Sequence, residues 1–302
     1  MEPLLKRLAH FKPLVADGGI GTLLMHQGLS PGGCPEAFNL ERPDLLETIA
    51  GDYLEAGAEL IQTNTFGASP LKLAAYGLED KTEEINRKAV ATVKRVVQGR
   101  AYISGSCGPT GGLLKPYGEL EPETVSEGYR RQIRELVTAG VDVICVETMI
   151  SLEEALLAVQ AAKAVDPEIP VMATMTFDKT PRGYFTVMGV SVKAAVTGLE
   201  NSGAEIIGSN CGNGIENMVE IAVELRKFTA RPVVIRSNAG QPEMRAGEIH
   251  YPEAPEFFAD HIPALLAAGV NIIGGCCGTT PEYVRRFREI VDTLYTVETT
   301  AE

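Results

Sequence analysis

Three cysteines in this chain have the residue type and the setting of a metal site. Cys276 and Cys277 are adjacent in the string GGCCGTTP, residues 274–281, and Cys211 lies in GSNCGNG, residues 208–214. Each string follows a short apolar run, which is typical of a buried strand whose carboxyl end opens into a loop. Thiolates suit zinc, and a catalytic zinc site keeps three protein ligands and one open position. The three cysteines therefore predict a zinc site.

Both adjacent cysteines must reach the same metal for this prediction to hold. Neighbouring side chains of a regular strand point to opposite faces, so Cys276 and Cys277 converge only if the chain turns there. Gly274, Gly275 and Gly278 supply the conformational freedom for such a turn. The alternatives are buried core thiols or an oxidised pair, since free cysteine is among the most buried residue types. The clustered glycines and the strand-end placement favour the metal site.

Two carboxylates also follow apolar runs. Asp17 follows LVA, and Glu147 follows VICV. A carboxylate pair either performs acid–base chemistry or holds an ammonium group, and the alternatives are a helix N-cap or a salt bridge to a neighbouring loop. Gly18 and Gly19 place backbone amides beside Asp17, and such amides bind a carboxylate. A site that combines these groups with a thiolate-bound metal suits an amino acid that carries a thiol.

Short apolar runs and helical patterns alternate along the chain, and these elements must position the polar residues. The predicted strands are 13–16, 59–63, 101–105, 142–146, 170–175, 205–209, 232–236 and 271–274. The predicted helices lie near 43–57, 82–98, 122–139, 151–165, 191–202, 214–228, 253–268 and 280–294. Eight strand–helix units predict a single (β/α)8 TIM barrel, in which function gathers at the carboxyl ends of the strands. An open doubly wound sheet is the alternative, but the chain lacks the G-x-G-x-x-G loop that is expected of that fold.

Composition restricts the class of protein. With 302 residues, 45% hydrophobic and 22% charged, the chain is of ordinary globular type, and we expect one domain over 1–295 and a flexible tail over 296–302. A net charge of −13 without a basic stripe argues against a nucleic-acid partner. No membrane span or secretory signal is visible, so we expect a cytoplasmic location. Six cysteines are too sparse for a disulfide scaffold, and we expect Cys34, Cys107 and Cys145 to be structural thiols.

Six strings together resemble the homocysteine S-methyltransferase family: DGGIGT, QTNTFGAS, YGEL, GSNCGNG, SNAGQP and GGCCGTTP. The resemblance covers residues 10–292, and within the family it is greatest to the homocysteine-binding barrel of cobalamin-dependent methionine synthases. It implies that Cys211, Cys276 and Cys277 bind the catalytic zinc. The residues that it assigns to the substrate are Asp17, Gly18, Gly19, Asn64, Glu147 and Asn238.

The resemblance also implies a division of labour at the site. Asp17 and Glu147 would hold the amino group of homocysteine, and the Gly18-Gly19 loop would receive its carboxylate. Asn238 would complete the zinc shell when substrate is absent. The string around Asn238 departs from the commoner PNAGLP of the methionine synthase branch at two positions, Ser237 and Gln241.

The implied reaction is methyl transfer to the thiol of L-homocysteine, giving methionine. A free thiol is mostly protonated at neutral pH, and zinc ligation favours the nucleophilic thiolate. The YGEL string and the general likeness favour methylcobalamin as the donor. This chain has no corrinoid-binding D-x-H-x-x-G string, so the resemblance implies that a separate corrinoid protein or domain carries the donor. Betaine and S-methylmethionine are the alternative donors. Such cations often bind aromatic faces, and this chain has no Trp and is 6% aromatic.

Two further alternatives concern the acceptor and the class of protein. One is an enzyme with a different acceptor, either another thiol or a corrinoid system in which this barrel demethylates a donor. An acceptor without an amino group would have no use for two carboxylates. The other is a non-catalytic zinc barrel that docks a partner. A structural zinc site needs four protein ligands, and the sequence offers three strong ones.

Overall fold

The computed structural model describes residues 1–10, 12–245 and 248–296. Each predicted strand and each predicted helix overlaps an element of this structure. The barrel strands are β1 (Leu14–Val15), β2 (Leu60–Gln62), β3 (Tyr102–Cys107), β4 (Val143–Met149), β5 (Val171–Met175), β6 (Ile206–Asn210), β7 (Val233–Ser237) and β8 (Ile272–Gly275). The longer helices are α1 (Pro43–Glu55), α2 (Thr82–Val97), α3 (Pro122–Ala139), α4 (Leu152–Val165), α5 (Val192–Ser202), α6 (Ile215–Arg226), α7 (Pro255–Ala267) and α8 (Pro281–Thr296).

The strands form a closed barrel in sequence order. Each strand from β2 to β8 pairs in parallel with the next, and β8 pairs with β1 through Leu14–Ile272 and Val15–Ile273. A parallel bridge between Ala16 and Leu60 joins β1 to β2. The predicted (β/α)8 TIM barrel is confirmed, and the open doubly wound sheet does not describe this chain.

A repeated joint leads from a helix into the next strand. In four joints a glycine of positive φ and one spacer residue precede an acidic or amide residue, which comes directly before the strand. The side chain of that residue accepts a hydrogen bond from a main-chain N–H of the preceding strand. The four contacts are Glu59 with Val15 at 3.4 Å, Asp142 with Ile103 at 2.7 Å, Glu205 with Val171 at 2.8 Å and Asn271 with Val233 at 2.9 Å. The repeat therefore supplies acceptors for buried N–H groups at the amino-terminal end of the barrel.

The barrel interior is apolar toward the amino ends of its strands. The apolar cluster there contains Leu4, Leu8, Leu14, Ala16, Leu60, Tyr102, Val143, Cys145, Met172, Ile206, Val234 and Ile272. The short helix Leu4–Leu8 contributes Leu4 and Leu8 to this cluster and closes that end. Full burial of one Leu or Ile side chain contributes about 1.5–3 kcal/mol, so this layer makes a firm base beneath the polar half of the interior.

The predicted tail, 296–302, is described only at its first residue, which still belongs to α8. The rest of that segment, 297–302, lies outside the described residues. Among the helices of the described chain, none is long and apolar enough to cross a membrane.

Candidate active site

The loops that follow β6 and β8 bring three cysteine sulfurs together. The Sγ atoms of Cys211, Cys276 and Cys277 all lie within 4.8 Å of one another, and the three residues are half-buried. All three are free thiols. In a tetrahedral zinc site with Zn–S bonds of about 2.3 Å, the sulfurs are separated by roughly 3.8 Å. Small side-chain movements would therefore let this donor set hold zinc.

A tight turn after β8 allows both adjacent cysteines to contribute. The N–H and the hydroxyl of Thr279 both donate to the Cys276 carbonyl oxygen, at 3.2 and 2.7 Å. A Cβ on Gly275 would lie 2.0 Å from Thr279 Oγ1, so only glycine permits this approach. Gly278 adopts a φ of 81° within the same turn. The structure thus contains the turn that the clustered glycines predict.

Cys211 reaches the cluster from an unusual backbone conformation. Its φ is 60°, in the left-handed region, which costs a residue with a Cβ about 1–2 kcal/mol. Its N–H donates to the Arg236 carbonyl oxygen at 3.1 Å, and its own carbonyl oxygen accepts from the Asn213 N–H at 2.9 Å. These bonds hold Cys211 at the end of β6. Such strain is typical of a position that the site requires.

The three thiols compete for ionisation. The S–H groups of Cys276 and Cys277 hydrogen-bond to Cys211 and lower the pKa of its thiol to about 3. The same interactions with Cys211 raise the pKa of Cys277 to about 12 and raise the pKa of Cys276 as well. One thiolate is therefore favoured among three crowded thiols. A divalent cation is what would let all three ionise together.

Glu147 lies at the end of β4 with its two carboxylate oxygens in different surroundings. Oε1 accepts from Ser106 Oγ and from Gln62 Nε2. Oε2 makes one longer contact, 3.4 Å from Asn210 Nδ2. Burial raises the pKa of Glu147, whereas the Arg236 guanidinium and the Ser106 hydroxyl lower it. Oε2 is therefore the oxygen with more capacity for a further hydrogen bond.

Asp17, at the end of β1, is the partner of a buried cation. Its Oδ1 accepts from Arg236 Nη2 at 2.6 Å, and its Oδ2 accepts from the Gln62 N–H at 2.7 Å. Burial raises the pKa of Asp17, and the guanidinium opposes that rise. The sequence analysis did not single out Arg236. The available signal was a charged residue inside the apolar run VVIRS.

A β-bulge near the end of β4 helps to aim Glu147. The register with β5 shifts between Val146 and Met149, and Thr148 adopts a φ of 58°. Asn210 holds Thr148 there, because its Nδ2 donates to Thr148 Oγ1 and its Oδ1 accepts from the Thr148 N–H, both at 2.8 Å. Asn210 is a second residue of the candidate site that the sequence analysis missed. Its signal is a polar side chain directly before the cysteine of β6.

These groups meet at one cavity of about 210 Å³ at the carboxyl ends of the strands. Its lining includes Gly18, Gly19, Gln62, Asn64, Ser106, Glu147, Thr148, Cys211, Arg236, Cys276 and Cys277. Two further predicted residues, Asp17 and Asn238, do not line the cavity. Asp17 bonds to Arg236 and Asn238 bonds to Cys277, and both of these partners are lining residues. Asn64 lines the cavity while its Nδ2 donates to the Pro35 carbonyl oxygen at 2.7 Å.

The glycine loop after β1 presses against the turn after β8. A Cβ on Gly18 would lie 2.7 Å from the Tyr53 hydroxyl, and one on Gly19 would lie 2.6 Å from the Cys276 carbonyl oxygen. The Gly19 N–H already makes two long hydrogen bonds to Thr279, to its carbonyl oxygen at 3.3 Å and its Oγ1 at 3.2 Å. Close packing thus explains these glycines in part, and it links this loop to the cysteine turn.

The string SNAGQP, residues 237–242, connects the two cysteine loops. Asn238 Oδ1 accepts from the Cys277 N–H at 3.1 Å. Gln241 Nε2 donates to the Gly212 carbonyl oxygen, next to Cys211. Gln241 is one of the two positions that differ from PNAGLP, so a leucine there would lack this contact. The side chain thus tethers the loop that carries Cys211.

The other cysteines lie apart from this cluster. Cys34, Cys107 and Cys145 are buried in apolar clusters with 9%, 0% and 0% of their surfaces exposed. Burial raises the pKa of each of these thiols above its ordinary value. They occupy core positions, as the sequence predicts.

A family model described as homocysteine S-methyltransferase matches residues 14–291 of this chain. The chain belongs to the homocysteine S-methyltransferase family. The resemblance stated from the sequence strings is therefore confirmed, and the cysteine-lined cavity lies within the matched residues.

Two curated relatives are methionine synthases from mycobacteria. That of Mycobacterium tuberculosis is 34% identical over 289 residues, which is 90% of this chain and 24% of the relative. That of Mycobacterium leprae is 33% identical over 299 residues, which is 93% of this chain and 24% of the relative. The chain thus spans about a quarter of the length of these relatives.

Solved structures share the fold. The metallated form of the homocysteine methyltransferase MmuM from Escherichia coli superimposes with a TM-score of 0.78 at 24% identity, covering 95% of this chain and 99% of that one. The carboxyl transferase domain of Rhizobium etli pyruvate carboxylase with pyruvate gives a TM-score of 0.56 at 14% identity, covering 96% of this chain and 49% of that one. At these identities the likeness supports the fold alone.

Proposed function

We propose that this barrel transfers a methyl group to the thiol of L-homocysteine, giving methionine, with the help of a zinc ion. One observation supports this most directly: the three-cysteine cluster and Glu147 line the same small cavity. The cluster offers a metal for a thiol, and Glu147 offers a carboxylate for an ammonium group. A thiol and an ammonium group are both present in homocysteine, and the groups that suit them line one cavity.

Cys211, Cys276 and Cys277 are the residues that would hold the ion. When bound, zinc supplies a Lewis acid that keeps the acceptor sulfur deprotonated at neutral pH. The protein contributes orientation. The Thr279 hydroxyl donates to the Cys276 carbonyl oxygen and fixes that group. The Asn238 side chain accepts from the Cys277 N–H and fixes the Cys277 main chain. Such contacts to the residues of a metal site set the direction in which the ligand atoms point.

Glu147 is the carboxylate that we assign to the substrate ammonium, because it lines the cavity and its Oε2 has room for another donor. Asp17 adds a second carboxylate one side chain further away, behind Arg236. The Gly18-Gly19 loop, which also lines the cavity, is assigned to the substrate carboxylate, for which the Gly19 N–H would exchange its two long bonds to Thr279. Asn64 lines the same cavity and is also assigned to the substrate, and Asn238, next to the Cys277 N–H, is assigned to the zinc shell when substrate is absent.

The donor that we propose is methylcobalamin, carried by a corrinoid protein or domain. Two features support it. The curated relatives at 33–34% identity are methionine synthases. The cavity offers little aromatic surface for a methylated cation, because its described lining residues include one aromatic residue, Phe66. S-methylmethionine and betaine are the alternative donors.

The test is a donor comparison on the purified, zinc-loaded chain. L-homocysteine would be supplied with methylcobalamin, S-methylmethionine or betaine, and methionine measured by mass spectrometry. We expect methionine from methylcobalamin, lost in Cys276→Ala and retained in Cys107→Ala, which removes a core thiol instead. Methionine formed from S-methylmethionine or betaine would overturn the assignment of methylcobalamin as the donor. Absence of homocysteine binding in calorimetry would overturn the assignment of L-homocysteine as the acceptor.

A further inference from the structure

Four side chains form a hydrogen-bonded network across the polar end of the barrel. Arg236 Nη2 donates to Asp17 Oδ1 at 2.6 Å, and Arg236 Nη1 donates to Gln62 Oε1. Gln62 Nε2 donates to Glu147 Oε1. The exposed fractions of these residues are 7% or less. This barrel network, Asp17–Arg236–Gln62–Glu147, connects the two carboxylates that the sequence singles out.

Arg236 decides the orientation of the amide in the middle of the network. A glutamine side chain has an acceptor end and a donor end, whereas a guanidinium has donors only. The oxygen of Gln62 must therefore face Arg236, and its nitrogen must face Glu147. A carboxylate is an acceptor, so this orientation suits Glu147. Without Arg236 the amide could turn and bring its oxygen against the carboxylate.

The network also carries a net charge of its own beside the cavity. Arg236 is paired with Asp17, so two carboxylates and one guanidinium leave one net negative charge. That charge matches a single ammonium group. Arg236 Nε is bound to the Gly275 carbonyl oxygen at 3.0 Å, which fixes the guanidinium to the strand that carries the cysteine pair. The position of Glu147 is thereby tied to the position of the thiols.

We infer that Arg236, acting through Gln62, is a positioning residue that holds Glu147 with Oε2 free for the ammonium group of the acceptor. Oε1 is engaged by Gln62 and Ser106, whereas Oε2 makes only the 3.4 Å contact with Asn210 among the described residues. The inference rests on the proposed function, which supplies the ammonium group. It adds that the preference for a thiol with an amino group over one without it depends on Arg236 of β7, which need not touch the ammonium group.

The test compares two acceptors that differ only in the amino group. Calorimetry on the zinc-loaded protein would give Kd for L-homocysteine and for 4-mercaptobutanoate, which lacks the amino group. Gln62→Met breaks the network and keeps the Arg236–Asp17 pair, whereas Arg236→Lys keeps the charge and loses the fork of donors. We expect both variants to reduce the preference for homocysteine about tenfold or more, the effect of losing a hydrogen bond between charged groups.

The control is a second arginine at the opposite end of the barrel. Arg226 donates to the carbonyl oxygens of Thr229, Arg231 and Gly269 at 2.7–3.2 Å. Arg226→Met should reduce stability and leave the preference between the two acceptors unchanged. If Arg236→Lys does not fold, Gln62→Met decides the question, because it leaves the buried ion pair intact.

The outcomes separate the two proposals. A preference that is unchanged in Gln62→Met, in a protein whose wild type selects homocysteine, contradicts the positioning role and leaves the proposed function standing. Equal weakening of both acceptors also contradicts it, since that is general damage to the site. A wild-type protein that binds neither acceptor contradicts the proposed function itself.

Discussion

Replacing Glu147 by glutamine should remove most of the selectivity for an amino-bearing acceptor. The variant changes the charge while its shape stays nearly constant. The new carbonyl oxygen can take the place of Oε1 and still accept from Ser106 and Gln62. The new amide nitrogen then takes the place of Oε2, where it meets Asn210 Nδ2, 3.4 Å away in the wild type, and the donors of the ammonium group. Donors would face donors at the point where the substrate binds.

The size of the effect follows from the surroundings of Glu147. A hydrogen bond between charged groups contributes about 1.5–3 kcal/mol, and 1.4 kcal/mol corresponds to a tenfold change in Kd. The Kd for L-homocysteine should therefore rise about 10- to 100-fold. Because Glu147 is only 6% exposed, solvent screens the lost interaction weakly, and we expect a value in the upper part of that range.

Calorimetry with two acceptors is the assay. Homocysteine should bind the Glu147→Gln variant weakly, and 4-mercaptobutanoate should bind it as it binds the wild type. Glu154→Gln is the matched control, because Glu154 is a buried carboxylate that accepts from Thr110 and Tyr129, neither of which lines the cavity. An unchanged affinity for homocysteine, or an equal fall for both acceptors, would refute the assignment of Glu147.

Two further predictions concern the loop after β1 and the buried ion pair. Gly19→Ala should weaken zinc binding in a chelator competition, because its Cβ would lie 2.6 Å from the Cys276 carbonyl oxygen. Gly21→Ala is the control, because its Cβ would meet nothing within 4 Å, and equal zinc affinities of the two variants would contradict the prediction. Asp17→Asn should lower the free energy of unfolding by about 3–5 kcal/mol in denaturant titration, because it strands Arg236 without its counter-ion. Adding Arg236→Met should recover much of that loss, and a double variant that is less stable still would contradict the pairing.

The fold and the cysteine cluster could be predicted because their signals are local. Each strand is a short apolar run, and four of the helix–strand joints repeat a glycine, one spacer residue and an acidic or amide residue. Gly275 and Gly278 flank the cysteine pair in the sequence itself, so the turn that brings Cys276 and Cys277 together can be inferred from one string.

The barrel network could not be predicted, because its contacts join distant parts of the chain. Arg236 lies 219 residues from Asp17 and 174 from Gln62, and only closure of the barrel brings them together. Asp17 was expected to face the substrate, and the structure gives it a buried guanidinium as its partner. The bulge at Thr148 is also invisible in the sequence, because a left-handed threonine depends on the Asn210 side chain of another strand.

The most direct test of the central claim is X-ray absorption at the zinc edge on the purified chain, with and without L-homocysteine. The account predicts bound zinc with three sulfur neighbours, from Cys211, Cys276 and Cys277, and a fourth sulfur when homocysteine is added. Absence of zinc, or a sulfur count that homocysteine leaves unchanged, would contradict the account.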